Sequence, residues 1–257
     1  MARPPLQLRY ELDGAEPVQA ASRRALLAAL AAVDLVFLRF FEAPALAQSG
    51  VRVRCDKGPE QRWRDIGALL RTGEGGPAAL ACWRAAELRR QGLRAQPVSR
   101  APLPRGPTLL TFELGGWDGS NLPLLQAYLG PCLEALVASN LAYMRVHRVP
   151  PLYRSGCVYQ REVPGQEDWR NYGALLRHGG GDCEDLACIR TGELRLQGVP
   201  ARPIVRGKWK EYPDEPEKNH WSYHVLVGVG DEREDPSKIL GMQTKPTGTP
   251  WQPLSSL

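Results

Sequence analysis

Long hydrophobic runs, paired Cys-x-x-Cys spacings and phosphate-binding glycine fingerprints are all missing from this 257-residue chain, and each absence removes a class of function. The longest apolar stretch, Ala25 to Phe41, is broken by Asp34 and Arg39 and is too short to cross a bilayer, so no membrane role is expected. It reads instead as a buried amphipathic helix. The opening Met-Ala-Arg-Pro-Pro-Leu has neither an apolar h-region nor a small-residue cleavage site. The expected location is therefore cytoplasmic, with the six cysteines held as thiols. Their spacings, Cys183-x4-Cys188 included, do not make a zinc site, and most read as small buried hydrophobes. Without a glycine fingerprint, an acyltransferase using an acyl-thioester cofactor has no support. Basic residues exceed acidic ones only 33 to 28, and no dense basic run interleaves with aromatics, so nucleic acid is not an expected partner.

The chain does contain a duplication. Trp63 to Arg100 aligns without gaps to Trp169 to Arg206 at an offset of 106, with more than half of the positions identical. The match continues upstream to Pro44 and Pro150. Tyr10-Glu11-Leu12 resembles Phe112-Glu113-Leu114 at the shorter offset of 102. Each copy predicts a strand (Leu6 to Leu12, Leu109 to Leu114) and an amphipathic helix (around Arg24 to Phe40 and Leu122 to Arg145). A Trp-containing block, a Gly-rich turn and a second helix follow, and that helix stops at Gly92 or Gly198. A short strand closes the unit, Ala201 to Val205 in the second copy. After Arg206 only the second copy continues, with a polar loop over Lys208 to Asn219 and strand-like runs over Tyr223 to Val229 and Ser237 to Met242. The expected division is residues 1–101, a non-catalytic first repeat, and 102–257, the second repeat with its tail.

The two copies disagree at one place. Gly76-Pro77-Ala78-Ala79 stands where the second copy has Asp182-Cys183-Glu184-Asp185, and Ile66 and Thr72 face Tyr172 and His178. Proline is tolerated in the first turn of a helix and breaks it further in. Pro77 thus predicts that Cys183 opens a helix, where the helix dipole favours a thiolate and lowers the thiol pKa. The free N–H groups there are ready oxyanion donors. Asp182, Glu184 and Asp185 also suit a helix start.

A thiolate nucleophile needs a base and a group to orient that base. Histidine is scarce, at four residues. His147 lies in the repeat linker and His178 before the glycines, while His220 and His224 lie in the unique tail. His220-x3-His224 lacks a third zinc ligand. His224 opens the apolar run His-Val-Leu-Val-Gly-Val and is the candidate base, with Asp235 in Glu-Asp-Pro-Ser, entering the next strand, as its carboxylate. Tyr172, His178, Trp209 and Trp221 are candidate cleft walls.

The order Gly-Asp-Cys183 at a helix start, His224 opening a strand, then Asp235-Pro236-Ser237 resembles the transglutaminase-like (papain-like) cysteine peptidase superfamily. The string Gly181 to Ala187 is similar to the motif of bacterial members, and Glu-Asp-Pro-Ser-Lys-Ile-Leu-Gly-Met is similar to phage- and prophage-encoded ones. The resemblance spans about Trp169 to Met242. It implies an α+β fold with the nucleophile at a helix N-terminus packed on an antiparallel sheet, preceded by a degenerate copy of the same helical unit. It implies an acyl-enzyme mechanism on a protein or peptide amide, with Cys183 as nucleophile, His224 as base and Asp235 orienting. No cofactor is required, although some relatives hold calcium through acids flanking the cysteine, here Asp182, Glu184 and Asp185. The rival expectation is a phage-related structural or binding protein that keeps the fold with little turnover.

Overall fold

The computed structural model describes residues 6–54, 61–98, 107–115, 122–162, 167–210, 212–213 and 220–242. Repeat one runs through β1 (Leu6–Leu12), α1 (Glu16–Phe40), β2 (Arg52–Val53), β3 (Gln61–Arg64), α2 (Ile66–Thr72), β4 (Glu74–Gly75) and α3 (Pro77–Arg90). Repeat two follows the same order: β5 (Thr108–Leu114), α4 (Leu122–Val146), β6 (Val158–Tyr159), β7 (Asp168–Arg170), α5 (Tyr172–His178), β8 (Gly180–Gly181) and α6 (Cys183–Leu196). The tail adds β9 (Arg202–Lys210), β10 (His220–Val229), β11 (Glu232–Glu234) and α7 (Pro236–Ile239). The chain is α+β, and its largest sheet mixes parallel and antiparallel strands.

That sheet has the order β3-β5-β1-β7, so each repeat gives its first strand to the other. β1 lies parallel to β7 of repeat two, with Tyr10 beside Trp169, and β5 lies parallel to β3 of repeat one, with Phe112 beside Trp63. In the middle β1 and β5 pair antiparallel, and Arg9 faces Thr111. Those two residues are also equivalents at the repeat offset of 102, so an approximate two-fold axis passes between them. The same axis relates the Asp65 N–H bond to the Glu113 carbonyl (3.1 Å) and the Asn171 N–H bond to the Glu11 carbonyl (3.1 Å).

Alternation explains the layering. Leu8, Tyr10, Leu12, Leu110, Phe112 and Leu114 point to one face and are buried under α1 and α4. The other face carries Arg9, Glu11, Glu113, Arg64 and Arg170, joined by ion pairs such as Arg64 to Glu113 at 2.6 Å. α4 is the one described helix long and apolar enough to span a membrane, yet 56% of its most apolar stretch is buried, and it packs on α1 and α6 as a core helix.

The helix ends follow their sequence signals. Pro77 and Cys183 are the first residues of α3 and α6, and Gly92 and Gly198 follow their C-caps with φ of +81° and +82°, a conformation glycine takes without strain. Three boundaries move: α1 starts at Glu16, eight residues ahead of the expected turn, β9 runs on to Lys210, and β10 starts at His220, ahead of the expected Tyr223. The segment after Asp235 is a correction. It forms the short helix α7, because Pro236 fits the first helical position and the Asp235 carboxylate caps the Lys238 N–H at 3.3 Å. One sheet and one core cluster draw on both repeats.

The repeats differ in how they cap α2 and α5. Repeat two uses amides: Asn140 Oδ1 accepts from the Tyr172 N–H (2.8 Å) and Asn171 Oδ1 from the Ala174 N–H (3.1 Å). Repeat one uses two buried acids, with Asp34 Oδ1 accepting from Ile66 N–H (2.9 Å) and Asp65 Oδ1 from Ala68 N–H (2.8 Å). Burial first, and then the nearby Asp65, push the Asp34 pKa well up. A carboxyl whose pKa is raised by folding stabilises at low pH and loses that contribution as pH rises. Asp34→Asn keeps the acceptor and is expected to stabilise the fold by roughly 1–2 kcal/mol at mildly alkaline pH, the scale of about one pKa unit. Urea unfolding should show that gain shrinking toward acidic pH.

Candidate active site

The position of Cys183 is set by a glycine hinge. α5 ends at Gly179 in the left-handed region (φ +75°). Gly180 and Gly181 then run as β8 against β6. A Cβ on Gly180 would lie 2.3 Å from the Val158 carbonyl oxygen, and one on Gly181 would lie 2.3 Å from Asp185 Oδ2. Only glycine allows so close an approach, and the chain then turns through the cap residue Asp182 into α6. The Cys183 side chain is buried, with 8% of the residue exposed.

Two groups meet at its sulfur. Cys183 Sγ donates to Glu184 Oε2 at 3.1 Å. The Val225 N–H of β10 points at the same sulfur. It is free to do so because β11 pairs with β10 only over Val227 to Val229, leaving the edge at Val225 open. The residue before Val225 is His224, whose Nε2 lies 3.0 Å from Asp235 Oδ2. Asp235 is buried and His224 is partly exposed, so a desolvated carboxylate fixes the ring while its other nitrogen, Nδ1, stays available. α6 packs directly on β10 and β9, which holds the nucleophile and the histidine strand together.

The electrostatics run against the expectation for a helix start. Burial first, then Asp182, push the Cys183 thiol well above its ordinary pKa. Burial likewise raises the neighbouring carboxyls: Glu162 to about 8, Glu167 to about 7 and Asp182 to about 6. Glu184 and Asp185 are pushed up further, again by burial and then by Asp182. The Tyr223 hydroxyl donates to Glu167. One guanidinium, Arg170, stands among these acids, 3.7 Å from Asp185, 3.9 Å from Glu162 and 3.9 Å from Glu11 of the exchanged strand β1.

Two overlapping trios hold ligand atoms within 4.8 Å of one another, Asp182 with Cys183 and Glu184, and Glu162 with Glu167 and Glu184. Asp182 Oδ1 and Glu184 Oε1 are buried without a hydrogen-bond partner among the described residues. Such a set fits a hard divalent cation, which takes carboxylate oxygens. Asp185 is in neither trio, and its Oδ1 accepts from the Arg170 N–H at 2.6 Å. Of the expected calcium set, Asp182 and Glu184 fall in these trios.

Other expected site residues fall elsewhere. Tyr172 is fully buried, and its hydroxyl donates to the Pro150 carbonyl at 2.6 Å, so it is core and not cleft wall. His178 is exposed and bonded to Glu11 at 2.9 Å. The backbones of Trp209 and Trp221 pair across β9 and β10, while their side chains lie outside the described residues. Glu162, Glu167, Tyr159 and Tyr223 escaped the sequence reading. Tyr159 lies close to Cys183 and Asp182, which together with burial raise its pKa to about 12. The repeat comparison held a signal for two of the four: at the offset of 106, Tyr159 stands opposite Val53 and Glu167 opposite Gln61.

No protein-family model, curated protein or solved structure matches the chain. The acid cluster makes its own prediction. Because Glu162, Glu167 and Asp182 bind protons more tightly in the folded state, stability in chelator should fall as pH rises through about 6 to 8. Melting temperatures across that range should decline less steeply in Glu162→Gln/Glu167→Gln than in the unaltered protein.

Proposed function

We propose that the chain is a thiol-dependent amide-bond enzyme of the transglutaminase-like kind, working through Cys183, His224 and Asp235. The observation that carries this reading is the convergence at one sheet edge: the Val225 N–H on the Cys183 sulfur beside a His224–Asp235 pair at 3.0 Å. A buried carboxylate on Nε2 leaves Nδ1 to take the thiol proton. The thiolate attacks the amide carbonyl carbon, and the N–H groups at the start of α6 face the oxyanion that forms. Collapse breaks the C–N bond, the amine leaves with the proton held by His224, and a thioester remains. Water then hydrolyses it, with His224 again taking the proton. An amine in place of water would give transamidation, and hydrolysis is the default because water is always present.

Asp182, Glu184, Glu162 and Glu167 would hold a calcium ion if one binds. Its charge would offset the carboxylates that keep the thiol protonated. A second reading, a binding protein with little turnover, draws on the raised thiol pKa.

Alkylation separates the two. With calcium present near neutral pH, Cys183 should react faster than the other cysteines, and Cys183→Ala should abolish the fast phase. His224→Ala should slow it by about 10²- to 10⁴-fold, the range for removing a positioned base. Chelator should also slow it. Equal rates for all thiols in every condition, or indifference to His224→Ala, would leave only the binding protein.

A further inference from the structure

The sheet that carries His224 sorts charge by face. Directly opposed residues of an antiparallel pair point to the same side. His224 faces Arg206, Ser222 faces Lys208, His220 faces Lys210 and Gly228 faces both Arg202 and Arg233. On the His224 side, the other charged residues of β9 to β11 are therefore all cations: Arg202, Arg206, Lys208, Lys210 and Arg233. Arg202, Arg206 and Lys208 are exposed. Among the described residues no carboxylate pairs with Arg202, Arg206, Lys208 or Lys210. The opposite side carries Tyr223, whose hydroxyl donates to Glu167 of the acid cluster, while the thiol lies at the open edge of β10, at the Val225 N–H. Among the described residues repeat one has no counterpart to this sheet, so the basic face described belongs to the copy with the cysteine.

We propose that this open face of β9, β10 and β11 docks an acidic segment of an extended polypeptide, the substrate that is presented to Cys183. The proposal rests on the thiol-enzyme reading for its choice of polymer, since thiol acyl chemistry needs an amide and a nucleic acid offers no backbone amide. Alternate β-residues stand about 6.6–7 Å apart, the repeat of same-side side chains in an extended peptide. Arg206 and Lys208 can thus meet carboxylates at every second substrate position, with His224 beside them. Exposed pairs of this kind are individually weak and salt-sensitive, so the face works through several at once.

The test measures binding without turnover. A fluorescein-labelled peptide of alternating Glu and Gly, about eight residues long, is titrated by anisotropy into the full chain carrying Cys183→Ala, in calcium and in chelator. Binding is expected, weakening as salt rises past roughly 0.15 M, where screening reaches about 8 Å. Arg206→Glu/Lys208→Glu should weaken it about tenfold or more with an unchanged melting temperature. The same charge change at the exposed Arg145 and Arg148, at the C-terminal end of α4, should have little effect. Equal losses from both pairs would reduce the effect to net charge and overturn the proposal. So would no binding, or tighter binding of a single-stranded oligonucleotide of equal charge. Because the readout needs no thiol, the docking face and the Cys183 chemistry can fail separately.

Discussion

The antiparallel pairing of β1 with β5 is the contact on which the rest of the molecule depends. Each strand closes the other repeat's hydrophobic core, Tyr10 against Trp169 on one side and Phe112 against Trp63 on the other. Edge strands with apolar residues invite unwanted pairing, and the exchange puts the two most apolar strands at the centre of the sheet. It also places Glu11 and Asp13 of repeat one on Arg170, Arg177 and the Asn171 cap of repeat two. Arg170 in turn donates its backbone N–H to Asp185 in the first turn of the helix that carries Cys183. Repeat one is in this way one contact removed from the helix start at Cys183.

At the thiol two opposing effects have calculable sizes. A helix start favours an anion by about 0.3–1 kcal/mol, and up to about 2 kcal/mol in partly buried geometry. One carboxylate about 4 Å away opposes a second anion by about 4 kcal/mol at an effective dielectric near 20. With Asp182 and Glu184 flanking Cys183, the helix start cannot win unless those acids hold protons or meet a cation. Folding supplies the first by burying them, and their raised pKa values follow. Burial of these acids therefore ties the protonation of the site to pH.

Much of this was legible in the sequence because two copies could be compared. Pro77 placed Cys183 at a helix start, and Gly92 and Gly198 fixed both helix ends. The tail's His224 and Asp235 were legible from residue type and order. Three things were not. The strand exchange leaves no mark in a repeat alignment, since swapped and unswapped pairings bury the same residues. The sign of the thiol shift depends on how deeply Asp182, Glu184 and Glu167 are buried, which spacing does not reveal. The helix after Asp235 was missed because a four-residue helix gives no periodic signal, although Asp-Pro-Ser is a start signature in its own right.

The same comparison explains how repeat one could lose its chemistry without losing its fold. The first position of a helix asks nothing of a side chain except that it tolerate helical φ, and proline is pre-set for it. The left-handed glycine that ends each short helix, Gly73 or Gly179, and the buried Cys82 and Cys188 thiols, which donate to the Leu27 and Leu133 carbonyls at 3.4 and 3.6 Å, are the same in both copies. What differs is the set of side chains around one helix start and the presence of a hairpin beside it. The proposed nucleophile belongs to the duplicated unit, and the proposed base and its carboxylate belong to the added tail, so the proposed triad depends on the packing of α6 against β10. The exchanged strand β1 and the core it closes contribute to holding that contact in place.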